Sequence, residues 1–160
     1  MTVLLNCYPH CLLLNTASPA PPAAARKVSG SARRQLGRVL VVDDVSMNRK
    51  MLCKLLDGHS EQSVTAENGQ VAADHIRRSM SEGPAFDLVL MDYQMPVMDG
   101  PSAAKAMREM GYEGPIIGVT GNVLASHVET FVSHGANAVL PKPLDFDALV
   151  QAIDGKSIWR

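Results

Sequence analysis

Charge is in short supply in this chain: 19% of its 160 residues are Asp, Glu, Lys or Arg, and the two signs nearly cancel to a formal net charge of -1. No long-range field therefore draws DNA, RNA or an acidic membrane surface, and nucleic-acid binding is not expected. Cysteine is scarce and odd in number (Cys7, Cys11, Cys53), with no paired zinc half-sites, which excludes a disulfide framework and suits free thiols in a reducing compartment. No stretch approaches the roughly 20 apolar residues of a membrane helix, so no membrane association is expected and the chain reads as cytoplasmic, with the nucleus as the other location. The first 14 residues are fairly apolar, but Asn6, Pro9 and His10 interrupt them and no basic residue precedes them, so a signal peptide is not favoured.

What is present is enough apolar material, 46%, to bury one core of ordinary size, so one domain plus a tail is expected. Residues 17–35 are rich in Ala, Pro, Ser and Arg, a composition that buries too little to order itself, and residues 1–36 read as a tail or linker. Its basic cluster, Arg26, Lys27, Arg33 and Arg34, reads as solvating charge. The domain is expected over residues 37–155, with 156–160 as a short C-terminal tail.

After Gly37 the pattern changes. Val39-Leu40-Val41-Val42 is a β-branched run of the kind found in buried parallel strands, and it ends in Asp43-Asp44. Ser46 is placed to cap a helix whose members Met47, Met51, Leu52, Leu55 and Leu56 recur at helical spacing, and Gly58 supplies a stop. The alternation continues with strands at Ser63–Ala66, Phe86–Met91, Ile116–Val119 and Ala138–Leu140, and helices at Gln70–Met80, Ser102–Met110, Val123–Ser133 and Phe146–Ile153. Strands separated by helices are parallel neighbours, so the economical fold is α/β, a doubly wound sheet with helices on both faces and its chemistry at the strands' carboxyl ends.

Those carboxyl ends carry Asp43 and Asp44, Asp92, Thr120 and, just beyond the last strand, Lys142. Three carboxylates together raise one another's pKa, so a cation is expected among them. Mg2+ takes one or two carboxylates with waters and substrate phosphate, which fits this oxygen-only set. Asp92 as nucleophile, the metal, the Lys142 ammonium and the Thr120 hydroxyl are the parts needed to form an acyl phosphate.

Val39-Leu40-Val41-Val42-Asp43-Asp44, the stretch Met91-Asp92-Tyr93-Gln94-Met95-Pro96-Val97-Met98-Asp99-Gly100, and Pro141-Lys142-Pro143 together resemble the response-regulator receiver family, in flavour the receivers of hybrid histidine kinases. The resemblance runs from Gly37 to about Gly155. It implies a flavodoxin-like five-stranded sheet of order 2-1-3-4-5 and Mg2+ held by Asp43, Asp44, Asp92 and the backbone carbonyl of Gln94. It further implies Asp92 as phosphoacceptor, Thr120 as the switch hydroxyl, Lys142 as the lysine pairing with the phosphoryl group, and a cis bond before Pro143. The implied role is phosphorelay signalling, with self-catalysed phosphoryl acceptance and hydrolysis rather than turnover of a substrate. The implied partner is a histidine kinase or a histidine phosphotransfer protein, docking on the first helix around Val45 and Met47 and on the loop after Pro143. The chain could equally be one part of a larger hybrid kinase.

Three positions depart from the family's habit or tune it. Val139 stands three before Lys142, where the family places a Tyr or Phe whose rotamer follows the switch hydroxyl. Gly121 leaves the site open, and Gln94, two after Asp92, occupies a position that tunes acyl-phosphate lifetime. Gln94 also stands where aspartate-nucleophile phosphatases carry a second Asp as general acid, which argues against that enzyme class. A receiver-like scaffold that is never phosphorylated is the other alternative. Met91, Met95 and Met98 read as packing residues, and His10, His59, His75, His127 and His134 as dispersed surface or helix-end residues without acid partners.

Overall fold

Ten elements alternate along the chain: β1 (Leu36–Val42), α1 (Ser46–Leu56), β2 (Ser60–Ala66), α2 (Gly69–Glu82), β3 (Leu88–Asp92), α3 (Gly100–Glu109), β4 (Ile116–Thr120), α4 (Ala125–Ser133), β5 (Ala138–Pro141) and α5 (Phe146–Ile153). The computed structural model describes residues 35–154. Most of the expected N-terminal tail, with Cys7, Cys11, His10 and the basic cluster, lies outside the described residues, as does the expected C-terminal tail. The five strands form one parallel sheet in the order β2-β1-β3-β4-β5, the expected flavodoxin-like arrangement.

Side chains alternate across the sheet and so build two cores. Leu40, Val42, Val89, Met91, Ile116 and Val139 face α2, α3 and α4, packing with Ile76, Met107 and Phe131. Val39, Val41, Leu88, Leu90, Ile117 and Leu140 face α1 and α5, packing with Leu52, Leu56 and Leu149. Because both faces are covered, the central strands are apolar at nearly every position rather than at every second one. Among the described residues no helix is long and apolar enough to cross a membrane.

Several boundaries differ from expectation. β1 begins at Leu36, three residues before the β-branched run, because Leu36 is buried and pairs with Ser60 at the start of β2. Phe86 is buried but precedes β3, with its ring under the Arg38 guanidinium. Ser46 is the first helical residue rather than the cap, and Val45 holds the cap position without a side-chain bond. The Asp43 carboxylate, which accepts from the Val45 N–H at 2.9 Å, supplies the missing acceptor. α4 starts at Ala125, two residues late, which leaves Val123 and Leu124 in the loop after β4. Elsewhere the caps are conventional: Asn68, Asp99 and Asp145 each accept from a backbone N–H in the first turn of the helix that follows.

The close approach that matters most for the site is at Gly100, where α3 begins. A Cβ there would lie 2.1 Å from the Asp92 carbonyl oxygen and 2.8 Å from Phe131 Cζ. Gly100 also donates its N–H to the Tyr93 carbonyl at 3.0 Å, closing the β3–α3 loop. Gly100→Ala should therefore lower stability by about 3 kcal/mol, read from urea unfolding midpoints; a loss below about 1 kcal/mol would show that the loop relaxes freely.

Candidate functional site

Strand register brings the candidate residues to one edge of the sheet. Val42 pairs with Met91 and Asp92 with Val119, so Asp43, Asp92 and Thr120 leave three adjacent strands at nearly one level. Thr120 pairs with Pro141, and the Lys142 N–H donates to the Thr120 carbonyl at 2.8 Å, which brings Lys142 to the same edge. The Lys142–Pro143 peptide bond is cis, as expected.

Lys142 Nζ lies 2.6 Å from Asp43 Oδ2 and 2.8 Å from Asp92 Oδ1, bridging the two carboxylates. Each of Asp43, Asp44 and Asp92 also offers a carboxylate oxygen within 4.8 Å of the others. Asp43 is fully buried, Asp92 half-buried and Asp44 exposed. One ammonium against three carboxylates leaves an excess of negative charge. That excess, and a donor set made of oxygen alone, fit a hard divalent cation at the open Asp44 side. Gln94 lines a shallow depression together with Asp44, Met95, Pro96 and Asp99.

Burial pushes the Asp92 carboxyl above the ordinary carboxylate range, and Asp43 adds to this; the Lys142 ammonium and the Tyr93 N–H pull the other way without cancelling it. Burial works against the Lys142 ammonium too, but its two carboxylate partners outweigh that and hold its pKa above the ordinary value.

Thr120 is buried at the same edge, with its hydroxyl turned into the β4–α4 loop: Oγ1 donates to the Asn122 carbonyl at 3.3 Å and accepts from the Asn122 N–H at 3.2 Å. Gly121 beside it has open space where a side chain would stand. Val139 is buried against the α3–α4 side of the core. Met91, Met95 and Met98 pack in or against that same core. Val97, in the loop after Asp92, holds φ 70°, rare for a β-branched residue, and the Met98 N–H closes the turn on the Pro96 carbonyl at 2.8 Å.

Two supporting residues were not singled out in the sequence. Asn48 donates from Nδ2 to both Asp43 oxygens, at 3.0 and 3.1 Å, and Arg49 donates from one guanidinium nitrogen to the carbonyls of Asp43 and Asp44 at 2.6 and 3.0 Å. Their signal was spacing: one turn into α1, a side chain five or six positions after Asp43 folds back over the strand end. The described histidines stay apart from one another, and two of them stack on aromatic rings. His127 stacks on Tyr93 with ring centroids 4.4 Å apart, and His59 on Phe146 at 3.8 Å.

The family model for the response regulator receiver domain matches residues 39–154. The chain is 39% identical over 118 residues to two-component response regulator ORR41 of Oryza sativa subsp. japonica, covering 72% of this chain and 91% of that protein. It is 33% identical over 139 residues to two-component system protein A of Emericella nidulans, and 36% identical over 115 residues to sensor histidine kinase RcsC of Salmonella typhi. Those matches take 86% and 72% of this chain but span only 20% and 12% of the two relatives. Among solved structures, the co-crystal of the Saccharomyces cerevisiae histidine phosphotransfer protein Ypd1 with the receiver domain of Ssk1 aligns with a TM-score of 0.65 at 26% identity, over 77% of this chain and 89% of that one. A receiver domain protein from Methanospirillum hungatei shares the fold, with a TM-score of 0.64 at 24% identity over 76% and 94%. The chain belongs to the response regulator receiver family. It is a receiver domain of two-component phosphorelay signalling, as the sequence resemblance implied.

Lys142→Met leaves Asp43 and Asp92 facing each other without their shared cation, and should lower stability by about 3 kcal/mol at neutral pH. Asp92 titrates above its unfolded value, so folding favours its protonated form. The deficit should therefore be smallest below the ordinary carboxylate range, where Asp92 is protonated in both states, and grow as pH rises through the folded-state pKa. Urea melts across that window check this; a deficit independent of pH would mean the bridge carries no net charge compensation.

Proposed function

We propose that Asp92 is the phosphoacceptor of this receiver, taking a phosphoryl group from a phosphohistidine on a histidine kinase or a histidine phosphotransfer protein. The observation that carries this reading is the convergence of Asp43, Asp44 and Asp92 on one edge with Lys142 bridging two of them. Asp43, Asp44, Asp92 and the Gln94 carbonyl would hold Mg2+. When bound, the ion supplies positive charge for the phosphoryl oxygens and draws Asp92 to its anionic form.

An Asp92 carboxylate oxygen attacks phosphorus in line as the bond to the donor's imidazole nitrogen breaks, and the imidazole leaves with that electron pair and takes up a proton. Lys142, already 2.8 Å from Asp92, pairs with the transferred oxygens. The Thr120 hydroxyl, released from Asn122, donates to one of them. Asn48 and Arg49 keep Asp43 and the turn after it in place throughout.

The donor's approach is supported by exposed apolar side chains on and before α1, Val45, Met47 and Met51, beside a groove lined by Asn48, Leu52, Leu55, Pro143 and Leu144. A partner helix laid there would bring an imidazole toward Asp92. The structural relative crystallised with Ypd1, a histidine phosphotransfer protein, supports the same class of partner. A cytoplasmic setting for residues 37–155, alone or within a longer hybrid kinase, suits such partners.

With acetyl phosphate and Mg2+, intact-mass analysis should show a labile phosphoryl adduct that Asp92→Asn abolishes and that chelation of Mg2+ prevents. Folded protein that forms no adduct would overturn this reading and favour a scaffold that binds partners without phosphorylation. Asp92→Asn should also raise the thermal midpoint of the metal-free protein, because it removes the half-buried charge that folding disfavours; an unchanged or lower midpoint would show that the Lys142 pair dominates.

A further inference from the structure

A continuous set of contacts runs from Asp92 to α4 without passing through β5. Tyr93 follows Asp92 directly in the chain, and its backbone N–H favours the anionic form of the Asp92 carboxylate. The Tyr93 ring stacks on His127 of α4, with 4.4 Å between centroids and 22° between planes, and meets Phe131 of the same helix edge-on at 5.7 Å. On its other side His127 sets Nδ1 3.4 Å from the Asn122 carbonyl. That carbonyl accepts from the Thr120 hydroxyl, and the Asn122 N–H donates back to it. His127 thus touches both the residue joined to the nucleophile and the residue that holds the switch hydroxyl.

β5 reads Ala-Val-Leu-Pro and offers no ring to move. The aromatic material beside β4 comes instead from α4. Phe131 lies so close to Gly118 of β4 that a Cβ there would sit 2.6 Å from its ring. Helix and strand are locked at this point, so displacement of α4 requires the ring cluster to repack.

We propose that the Tyr93–His127 stack is the coupling element of this receiver, and that His127 is a positioning residue that transmits the state of Asp92 and Thr120 to α4. When Thr120 turns to the phosphoryl group, the Asn122 carbonyl and N–H lose their shared partner. The β4–α4 loop then keeps the His127 contact to the Asn122 carbonyl, and Tyr93, carried by the backbone of the modified residue, moves against the same ring. Both displacements meet at one imidazole on α4, with Phe131 the second ring that Tyr93 touches on that helix, and they carry with them the exposed Val123 and Leu124 that precede it. The proposal rests on the phosphoacceptor reading of Asp92.

The test uses the full chain with Mg2+ and acetyl phosphate, following adduct formation by intact mass, and the His127 ring and the amides of residues 123–133 by NMR. In the wild type the His127 ring resonance and the α4 amides should move together as the adduct forms. Tyr93→Leu and His127→Ala should still form the adduct, while the shift in the α4 equilibrium weakens by about fivefold. Tyr93→Phe, which keeps the ring face, should respond as the wild type does. An adduct that leaves the wild-type His127 ring unmoved, a measurement that needs no variant, would overturn the relay alone. So would wild-type α4 shifts in Tyr93→Leu and His127→Ala. Absence of any adduct in the folded wild type would overturn the phosphoacceptor reading and the relay with it.

Discussion

One ammonium shared by two carboxylates is the constraint around which the functional edge of this sheet is arranged. Asp43 is fully buried, and a charge in that position persists only with close partners. Lys142 supplies one from the far end of the sequence, and Asn48 supplies two hydrogen bonds from the helix that follows directly. Parallel register is what makes the long-range partner available. The β1–β3–β4–β5 ladders bring residues 43, 92, 120 and 142 to the same edge although the outermost are 99 positions apart. The compensation is short by the measure of charge: Asp92 remains above its ordinary pKa and Asp44 stays exposed, and the proposed Mg2+ and phosphoryl roles rest on that shortfall.

How far this could be read from the sequence depended on the range of the forces involved. Strand and helix order is written in local hydrophobic period, and both ends of α5 are legible in the sequence because Asp145 caps it and its apolar residues recur cleanly. The start of β1 is not legible locally, because Leu36 owes its place to pairing with Ser60, a contact 24 residues away that no local pattern records. Serine favours the cap position, so the sequence points to Ser46 as the cap of α1. In the fold, the Asp43 carboxylate is already held over the start of α1 by Lys142 and Asn48 and reaches the orphaned N–H instead.

The site divides in the same way. Asp43, Asp44, Asp92, Thr120 and Lys142 were legible because each sits where a strand ends, and strand ends on one edge of a parallel sheet converge whatever the details of packing. Asn48 and Arg49 act across a single turn, and their spacing carried a signal. His127 carried none. Its importance comes from Tyr93 lying beneath its ring and Asn122 beside its nitrogen, and neither contact leaves a periodic or compositional trace. Read singly, a histidine on an amphipathic helix is an ordinary helix residue.

The packing behind His127 explains why such a contact arose on α4 and not on β5. Gly118 removes a side chain from β4, and Val139 presents a small one from β5, so the two strands leave a ring-sized space on that face. Phe131 fills it completely from the helix side and also limits residue 100 to glycine, where the loop carrying Asp92 turns into α3. A large aromatic on β5 at position 139 would compete for that volume, and overpacking of a core is itself destabilising. The fold accommodates one aromatic cluster beside β4, and because Phe131 anchors it to α4, Tyr93 and His127 meet on the helix. Electrostatics at the strand ends and the repacking of a helix are thereby joined through the few residues that touch both.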